Sequence, residues 1–442
     1  MKIAIVGYGV EGRANYNYFS RSPENEIVVF DEFSKRPADL PVDVLFVTGT
    51  HAFEELKAQQ FDKVLRSPQI APRKLQGIDR ITSGTKEFFA HCPAPIIGVT
   101  GTKGKGTIAS LIYEILKSAG KKVWLVGNIG NPAMDVLPEV KPDDLVVYEL
   151  SSFQLWDLDQ SPHIAVISMI EPEHLDVHKT ADDYYRAKGN IRRYQSLDDR
   201  CFYHPSSVIS KQVADVGGPH DPSERELWRS QSSRYGVPDD GAVYIKENNF
   251  FIHNQQICSV DSLQLVGEHN MLNACAAISA CLIYVDDYSA VERGLSVFKG
   301  LPHRLQFVAE KRGVAYYDDS IATTPGSAIA ALRSFEKPKV LILGGSDKGA
   351  DFAVLAQEVM KQKMRGVITV GAMGVVIADE LRKAGYDNVT ETEELMPGVV
   401  NLASVMARPG DVVILSPSCA SFDQYKNYAD RGEQFTRAVN KL

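Results

Sequence analysis

The chain has 442 residues, 44% hydrophobic and 24% charged, with 56 acidic against 48 basic side chains and a formal net charge of −8. That balance excludes a broad cationic surface for nucleic acid, and no apolar run approaches the roughly 20 residues that cross a bilayer, so neither nucleic acid nor membrane is expected as a partner. The six cysteines (Cys92, Cys201, Cys258, Cys275, Cys281, Cys419) form no C-x-x-C pair, which excludes a zinc or disulfide framework.

Strand-like and helical segments alternate almost throughout, the pattern of α/β domains with mostly parallel sheets. KIAIVG at the start reads as a strand rather than a basic leader, so a cytoplasmic location is expected. GYGVEG then places Gly7, Gly9 and Gly12 as G-x-G-x-x-G, with Asp31 closing the next strand, EIVVFDE. This is the dinucleotide fingerprint, in which glycines permit a tight turn and close approach of the backbone to a diphosphate. Taken alone it leaves a nicotinamide-dependent dehydrogenase open. Glu11 sits inside the turn, where its charge would oppose a diphosphate. VDVLFVTG and FDKVLRSP add strands, and AHCPAP (90–95), with its two prolines, reads as a linker.

IIGVTGTKGKGTIASLIYEILKSAG is a strand, a loop and an amphipathic helix. Backbone N–H groups at a helix N-terminus attract phosphate, and Lys105 can reach terminal phosphates. A bound ATP or GTP is therefore expected on Gly101, Thr102, Lys103, Gly104, Lys105, Gly106 and Thr107. A strict Walker loop would carry a glycine at Val99 and a metal-binding hydroxyl at Gly106; a water or Thr107 is expected to complete the metal shell instead. YELSSFQLW puts Glu149 at the carboxyl end of a strand, and EPEHLDVH puts His174 and Asp176 after the next, where open α/β sheets bind ligands. A carboxylate and an imidazole close to phosphates suit Mg²⁺.

Residues 205–262 break the alternation. VGGPHDPSERELWRSQSS reads as a polar loop or insertion, and GAVYIKENNFFIHNQQI as a β-hairpin turning at Asn-Asn. EHNMLNACAAISACLIY returns to helix, with Asn270 and Asn273 on one face. FKGLPHR (298–304) is a second linker. KVLILGGSDKGAD, GVITVGAMG and DVVILSPSCAS are strands running into Gly or Ser loops. Two linkers and the length predict three α/β domains, at 1–92, 93–299 and 300–442.

The ordered series GTKGK, NIG, YELSSFQL, EHLD, YRAKGNI, GEHNMLNACAA, GLPHR, DDSIATTP, GGSDKGADF and SPSCASFDQYKNYADRG resembles the Mur ligases, the ATP-dependent amide ligases of peptidoglycan precursor synthesis. LSSFQL and SFDQYKNYADRG are similar to the D-glutamate-adding branch. The resemblance implies a Rossmann-like N-terminal domain for UDP, a central P-loop-type ATPase domain with a parallel sheet, and a Rossmann-like C-terminal domain. The implied substrates are UDP-N-acetylmuramoyl-L-alanine and D-glutamate, joined through an acyl phosphate by a monomer. It places Gly9, Val10, Asp31, Glu32 and Ser67 near the UDP group, and Asn128, Ser151 and Gln154 near the muramoyl-alanine end. Lys105 would hold the transferred phosphoryl group. Glu149 and His174 would each bind an Mg²⁺, and Lys188 would carry a CO₂-derived carbamate that also serves the metal. Asn270, Asn273, Arg304 and Asp319 would contact ATP, and Thr323, Lys348, Ser421, Phe422 and Tyr428 the amino acid. Three positions depart from the pattern: Glu11 stands where the family carries a phosphate-side threonine, Gly106 lacks the family's hydroxyl, and Ile321 replaces a lysine usual after Asp-Ser. A ligase adding another amino acid, such as L-glutamate, stays open on the sequence.

Overall fold

In the computed structural model, which describes residues 1–32, 35–174, 177–219, 221–347 and 349–442, the alternating pattern becomes three large sheets and one small one. The chain divides into two units, Met1–Leu263 with His269–Phe298, and Gln264–Glu268 with Lys299–Leu442.

The first unit opens with β1 (Lys2–Val6), α1 (Val10–Phe19), β2 (Glu26–Asp31), β3 (Leu45–Thr48), α2 (Ala52–Lys57), β4 (Lys63–Arg66), β5 (Ile81–Ser83) and α3 (Gly84–His91). The strands form a parallel sheet in the order β3-β2-β1-β4-β5. Ile3 to Val6 are fully buried, as expected of a parallel strand covered on both faces. Two of the three glycines in the turn from β1 to α1 are required sterically, whereas a Cβ on Gly9 would meet nothing within 4 Å. Gly7 has φ +84°, and a Cβ on Gly12 would lie 2.0 Å from the Gly7 carbonyl oxygen.

The second sheet begins after the Pro93–Pro95 link with β6 (Ile96–Thr100), α4 (Lys105–Ser118), β7 (Val123–Gly127), α5 (Ala133–Val136), β8 (Leu145–Glu149), α6 (Ser152–Leu155), β9 (Ile164–Ile167), α7 (Ala181–Arg193) and β10 (Arg200–Tyr203). With β11 (Ser232–Arg234) its order is β11-β10-β9-β6-β8-β7, parallel throughout, so β6 lies inside it. All five residues of β6 are buried, and the phosphate-type loop leaves its carboxyl end.

Much of the segment read as a polar loop is instead a helix and a strand. α8 (Val208–Ala214) is followed by α9 (Pro222–Ser230) and β11 (Ser232–Arg234). Asp221 caps α9 by accepting from the Ser223 and Glu224 N–H groups, with Pro222 in the first turn. Acceptor first and proline next is a helix-start signature that outweighs the polar composition. The expected hairpin exists as β12 (Tyr244–Lys246), β13 (Asn249–Ile252) and β14 (Gln255–Ser259), three antiparallel strands. Its first turn falls on Glu247–Asn248, both at positive φ, one residue before the expected Asn-Asn. α10 (Glu268–Cys281) and α11 (Tyr288–Val297) close the unit. Gly294 lets α11 approach α4 closely, since a Cβ there would lie 2.5 Å from Ile115 Cα.

The second unit contains β15 (Gln306–Lys311), β16 (Val314–Asp318), α12 (Pro325–Arg333), β17 (Lys339–Gly344), α13 (Ala353–Lys361), β18 (Met364–Val370), α14 (Gly374–Lys383), β19 (Val389–Glu391), α15 (Met396–Met406), β20 (Val412–Leu415) and α16 (Tyr428–Asn440). Its sheet order is β15-β16-β20-β17-β18-β19, with only β15–β16 antiparallel. Among the described residues, no helix is long and apolar enough to cross a membrane.

Candidate active site

The loop between β6 and α4 is shaped by what surrounds its glycines. Gly101 has φ +146°, and a Cβ on it would lie 1.9 Å from Ser168 Oγ. That hydroxyl donates to the Lys103 carbonyl at 2.6 Å, and the Thr102 N–H donates to Met169 O at 2.7 Å. Gly104, at φ +88°, is the N-cap of α4, where a Cβ would meet Asn273 Oδ1 at 2.6 Å. The loop is thus held between the end of β9 and α10, with the N-terminus of α4 facing it. Such a helix end carries partial positive charge and N–H groups suited to phosphate. Lys105 is the first residue of α4, and its ammonium donates to the Thr102 carbonyl at 2.9 Å. Lys103 instead pairs with Glu171 at 2.7 Å, both half-exposed. Gly106 and Thr107 are buried in the first turn.

Two further charged groups converge on this loop. Glu149 ends β8, in register with Val99 of β6, and is buried. Lys188 on α7 is 1% exposed and donates to Gly101 O at 2.7 Å. Burial, reinforced by the Lys105 charge, holds its amine well below the usual lysine range against the opposing pull of Glu173 and Glu149. Tyr184, one helical turn before Lys188, lies under its ammonium at 4.7 Å and shares a 2.8 Å hydrogen bond with Thr102 Oγ1.

His174 sits in the loop after β9 at φ +57°, half-exposed, with its ring 5.0 Å from Phe153 and 6.5 Å from Tyr184. The neighbouring Asp176 lies outside the described residues. His178 is fully buried, stacked on Phe153 and hydrogen-bonded through Nε2 to Ser152 Oγ at 3.0 Å. Burial lowers its pKa, opposed by Asp183. Neither Tyr184 nor His178 emerged from the motif reading. The Y-x-x-x-K spacing in YYRAK was the available signal for Tyr184, since residues four apart share a helix face; His178 offered only its proximity to EHLD.

At the glycine turn of β1, Gly9 is the N-cap of α1 and Val10 is exposed. Asp31 is buried and accepts the Tyr8 N–H at 2.7 Å. Glu32 pairs with Lys74 at 2.5 Å. Ser67 Oγ donates to Gly7 O at 2.6 Å. Glu11 accepts from Gln154 Nε2 at 2.6 Å, and burial pushes its carboxyl up to about 7 against that bond. Gln154 Oε1 in turn accepts the Ser151 N–H at 2.8 Å, completing a capping box on α6. Asn128 is exposed just beyond β7, and its N–H donates to Glu149 O at 3.2 Å. Asn273 Nδ2 donates to Asn270 Oδ1 at 3.1 Å, so the two amides do share one face of α10.

In the second unit, the loops after β16, β17 and β20 gather around buried Arg431 of α16. Its guanidinium donates to Ser320 Oγ, Ser320 O, Cys419 O and Ala420 O at 2.8–3.2 Å. Ser418 N–H donates to Ala322 O at 2.8 Å, next to Thr323. Ser421 is buried, whereas Phe422 and Tyr428 are exposed, and Phe422 N–H donates to Ser346 Oγ at 3.2 Å. Lys348 lies outside the described residues. Asp319 accepts from Ser416 Oγ at 2.7 Å and Leu305 N–H at 3.0 Å, and burial raises its carboxyl to about 7. Arg304 is exposed beside it in sequence to Leu305.

Residues 99–281 match the Mur ligase middle domain, and residues 303–419 the Mur ligase glutamate ligase domain. The chain is 33% identical to UDP-N-acetylmuramoylalanine--D-glutamate ligase of Clostridium tetani, with 100% of this chain and 97% of that protein covered. It is 35% identical to the protein of the same name from Clostridium kluyveri, with 100% and 97% covered. Among solved structures, UDP-N-acetylmuramate-alanine ligase MurC from Thermotoga maritima has a similar fold (TM-score 0.62, 18% identity, 100% and 99% covered). So does MurF ligase from Thermotoga maritima in complex with ADP (TM-score 0.56, 16% identity, 100% and 95% covered). Identity of a third or more over the full length of these relatives, together with both matching domains, makes this chain a member of the Mur ligase family.

Proposed function

We propose that the chain is an ATP-dependent amide ligase that joins D-glutamate to UDP-N-acetylmuramoyl-L-alanine in peptidoglycan precursor synthesis, acting as a cytoplasmic monomer. The observation that carries the chemistry is the convergence of Lys105, Lys188 and Glu149 on one glycine loop at a helix N-terminus. The substrates follow from the names of the full-length relatives. Membership of this family leaves the dehydrogenase reading without support, and the G-x-G-x-x-G turn serves a UDP-sugar instead. The reading assigns 1–92 to UDP, 93–299 to ATP and 300–442 to the amino acid.

In this reading the γ-phosphoryl group of ATP passes to the alanyl carboxylate of the acceptor. The D-glutamate amine attacks the resulting acyl phosphate, and the tetrahedral intermediate expels phosphate. Lys105 and the α4 N-terminus stabilise charge developing on the phosphoryl oxygens. Among the described residues, no three His, Cys, Asp or Glu side chains gather into a protein-only metal cage. A buried carboxylate plus phosphate oxygens and water is, however, the sparse oxygen set that Mg²⁺ takes. Glu149 and His174 would hold magnesium, and Thr107 or a water would stand in for the missing hydroxyl at Gly106. The metal supplies charge neutralisation of the phosphates. Lys188, buried and biased toward its neutral, nucleophilic form, is suited to take up CO₂ as a carbamate. Thr323, Lys348, Ser421, Phe422 and Tyr428 would receive the amino acid, and Asn270, Asn273, Arg304 and Asp319 the nucleotide.

The test is phosphate release with acceptor, ATP and amino acid, each omitted in turn. D-glutamate should drive release, and peptide-bond formation should track it. Release with L-glutamate but not D-glutamate would assign the other amino acid; no release with any combination would reject ligase activity.

A further inference from the structure

The glycine turn and the one-turn helix beyond Glu149 belong to different sheets, yet one side chain ties them together. Arg66, the last residue of β4, is fully buried. Its Nε and Nη2 form a fork on the two carboxylate oxygens of Asp157, at 3.0 and 2.7 Å. Nη2 also donates to the carbonyl of Phe153 in α6 at 3.1 Å. Nη1 turns back to its own loop and donates to Pro68 O at 3.0 Å and Ile70 O at 2.9 Å. That loop is fixed to the glycine turn by the Ser67–Gly7 bond at 2.6 Å. The Gln154–Glu11 bond at 2.6 Å supplies a second tie, from α6 to α1.

α6 has only four residues, too short to hold its position by its own hydrogen bonds. These ties fix it on the side of the glycine turn, while buried Leu155, the Asn190–Leu155 O bond at 2.9 Å and the His178–Ser152 bond hold it to its own sheet. We propose that Arg66 is a positioning residue, which registers the loop holding the nucleotide end of the acceptor against the turn that presents the acceptor's carboxylate near Glu149. The inference rests on the UDP-sugar reading above. Its consequence is kinetic. Binding energy gained at the remote nucleotide improves the rate only if the protein between the two ends holds them in register.

The test uses the full chain with two acceptors: the UDP-linked one, and the same muramoyl-alanine truncated to its sugar 1-phosphate. The unaltered protein should prefer the UDP-linked acceptor. Arg66→Met should lower kcat/KM for that acceptor by about tenfold or more, leave KM for ATP within about twofold, and shrink the preference between acceptors. Arg66→Lys keeps a charge but not the planar fork, and should behave as Arg66→Met does. Asp157→Asn, at a partly exposed position, should shrink the preference in the same direction, and decides the matter should Arg66→Met not fold. A purely structural role would lower the melting temperature while leaving the preference within about twofold of the unaltered protein, and that result overturns the inference. Turnover of neither acceptor by the unaltered chain would overturn the functional reading and this inference with it; turnover with unchanged preference in the folded variants overturns this inference alone.

Discussion

Gly101 shows how tightly single residues are specified in the glycine loop between β6 and α4. Its positive φ and the Ser168 hydroxyl, 1.9 Å from any Cβ, leave no room for alanine. Gly101→Ala should cost about 1–3 kcal/mol of stability in urea unfolding. It should also abolish ATP binding by calorimetry, because the Lys103 and Thr102 backbone must move. Lys188 makes a different prediction. Exhaustive removal of CO₂ and bicarbonate should depress activity and readdition restore it, with a carbamate carbon visible by ¹³C NMR. Lys188→Met should be inactive and indifferent to bicarbonate. Unchanged activity after CO₂ removal would exclude a functional carbamate. Glu11 gives a pH dependence. Its folded-state pKa is raised from 4.5 to about 7, so between those values the folded state binds more protons than the unfolded one, and stability falls as pH rises through the window. Glu11→Gln retains an acceptor for Gln154 and removes the titration. It should stabilise the protein by about 1–3 kcal/mol at pH 8 and be nearly neutral at pH 4. Parallel stability curves for both proteins would contradict this.

At the scale of elements, α9 shows what a polar run can conceal. Trp228 is fully buried, donates from Nε1 to Gln195 O at 3.1 Å, and lies 3.6 Å from the Arg192 guanidinium, which also donates to its carbonyl. Trp228→Ala should cost about 3–5 kcal/mol in chemical denaturation; a loss under 1 kcal/mol would mean that α9 is peripheral. The start of this helix was readable in Asp-Pro-Ser-Glu, but its partner Arg192 is 36 residues away, and no local pattern announces such a contact. The β-strands were easier. Their apolar runs end in Gly or Ser loops, and those loops are where β6, β8, β16 and β20 place the candidate site residues. α6 was not readable as a helix at all, because four residues have no periodicity to detect.

At the scale of the whole molecule, the proposed reading makes two predictions. Light scattering should give the 48.8 kDa mass of one chain. ATP with magnesium should raise the melting temperature, as any ligand selective for the folded state does, while NAD should not; a shift with NAD alone would reopen the dehydrogenase reading. The sequence by itself determined the α/β class, the three sheets' worth of alternating elements and the glycine loop between β6 and α4, because each is written in local periodicity and in glycines demanded by a turn. It also supplied the family resemblance, since the motifs keep their order along the chain. Only the tertiary structure decided that Lys188 is buried against Gly101, that Tyr184 lies against it with His178 packed on Tyr184, that Glu11 is bound to Gln154, and that Arg66 reaches Asp157. Those facts depend on residues far apart in sequence being desolvated together, and the cost of burying a charge or an amide is set by the neighbours that folding brings, not by the residues beside it in the chain.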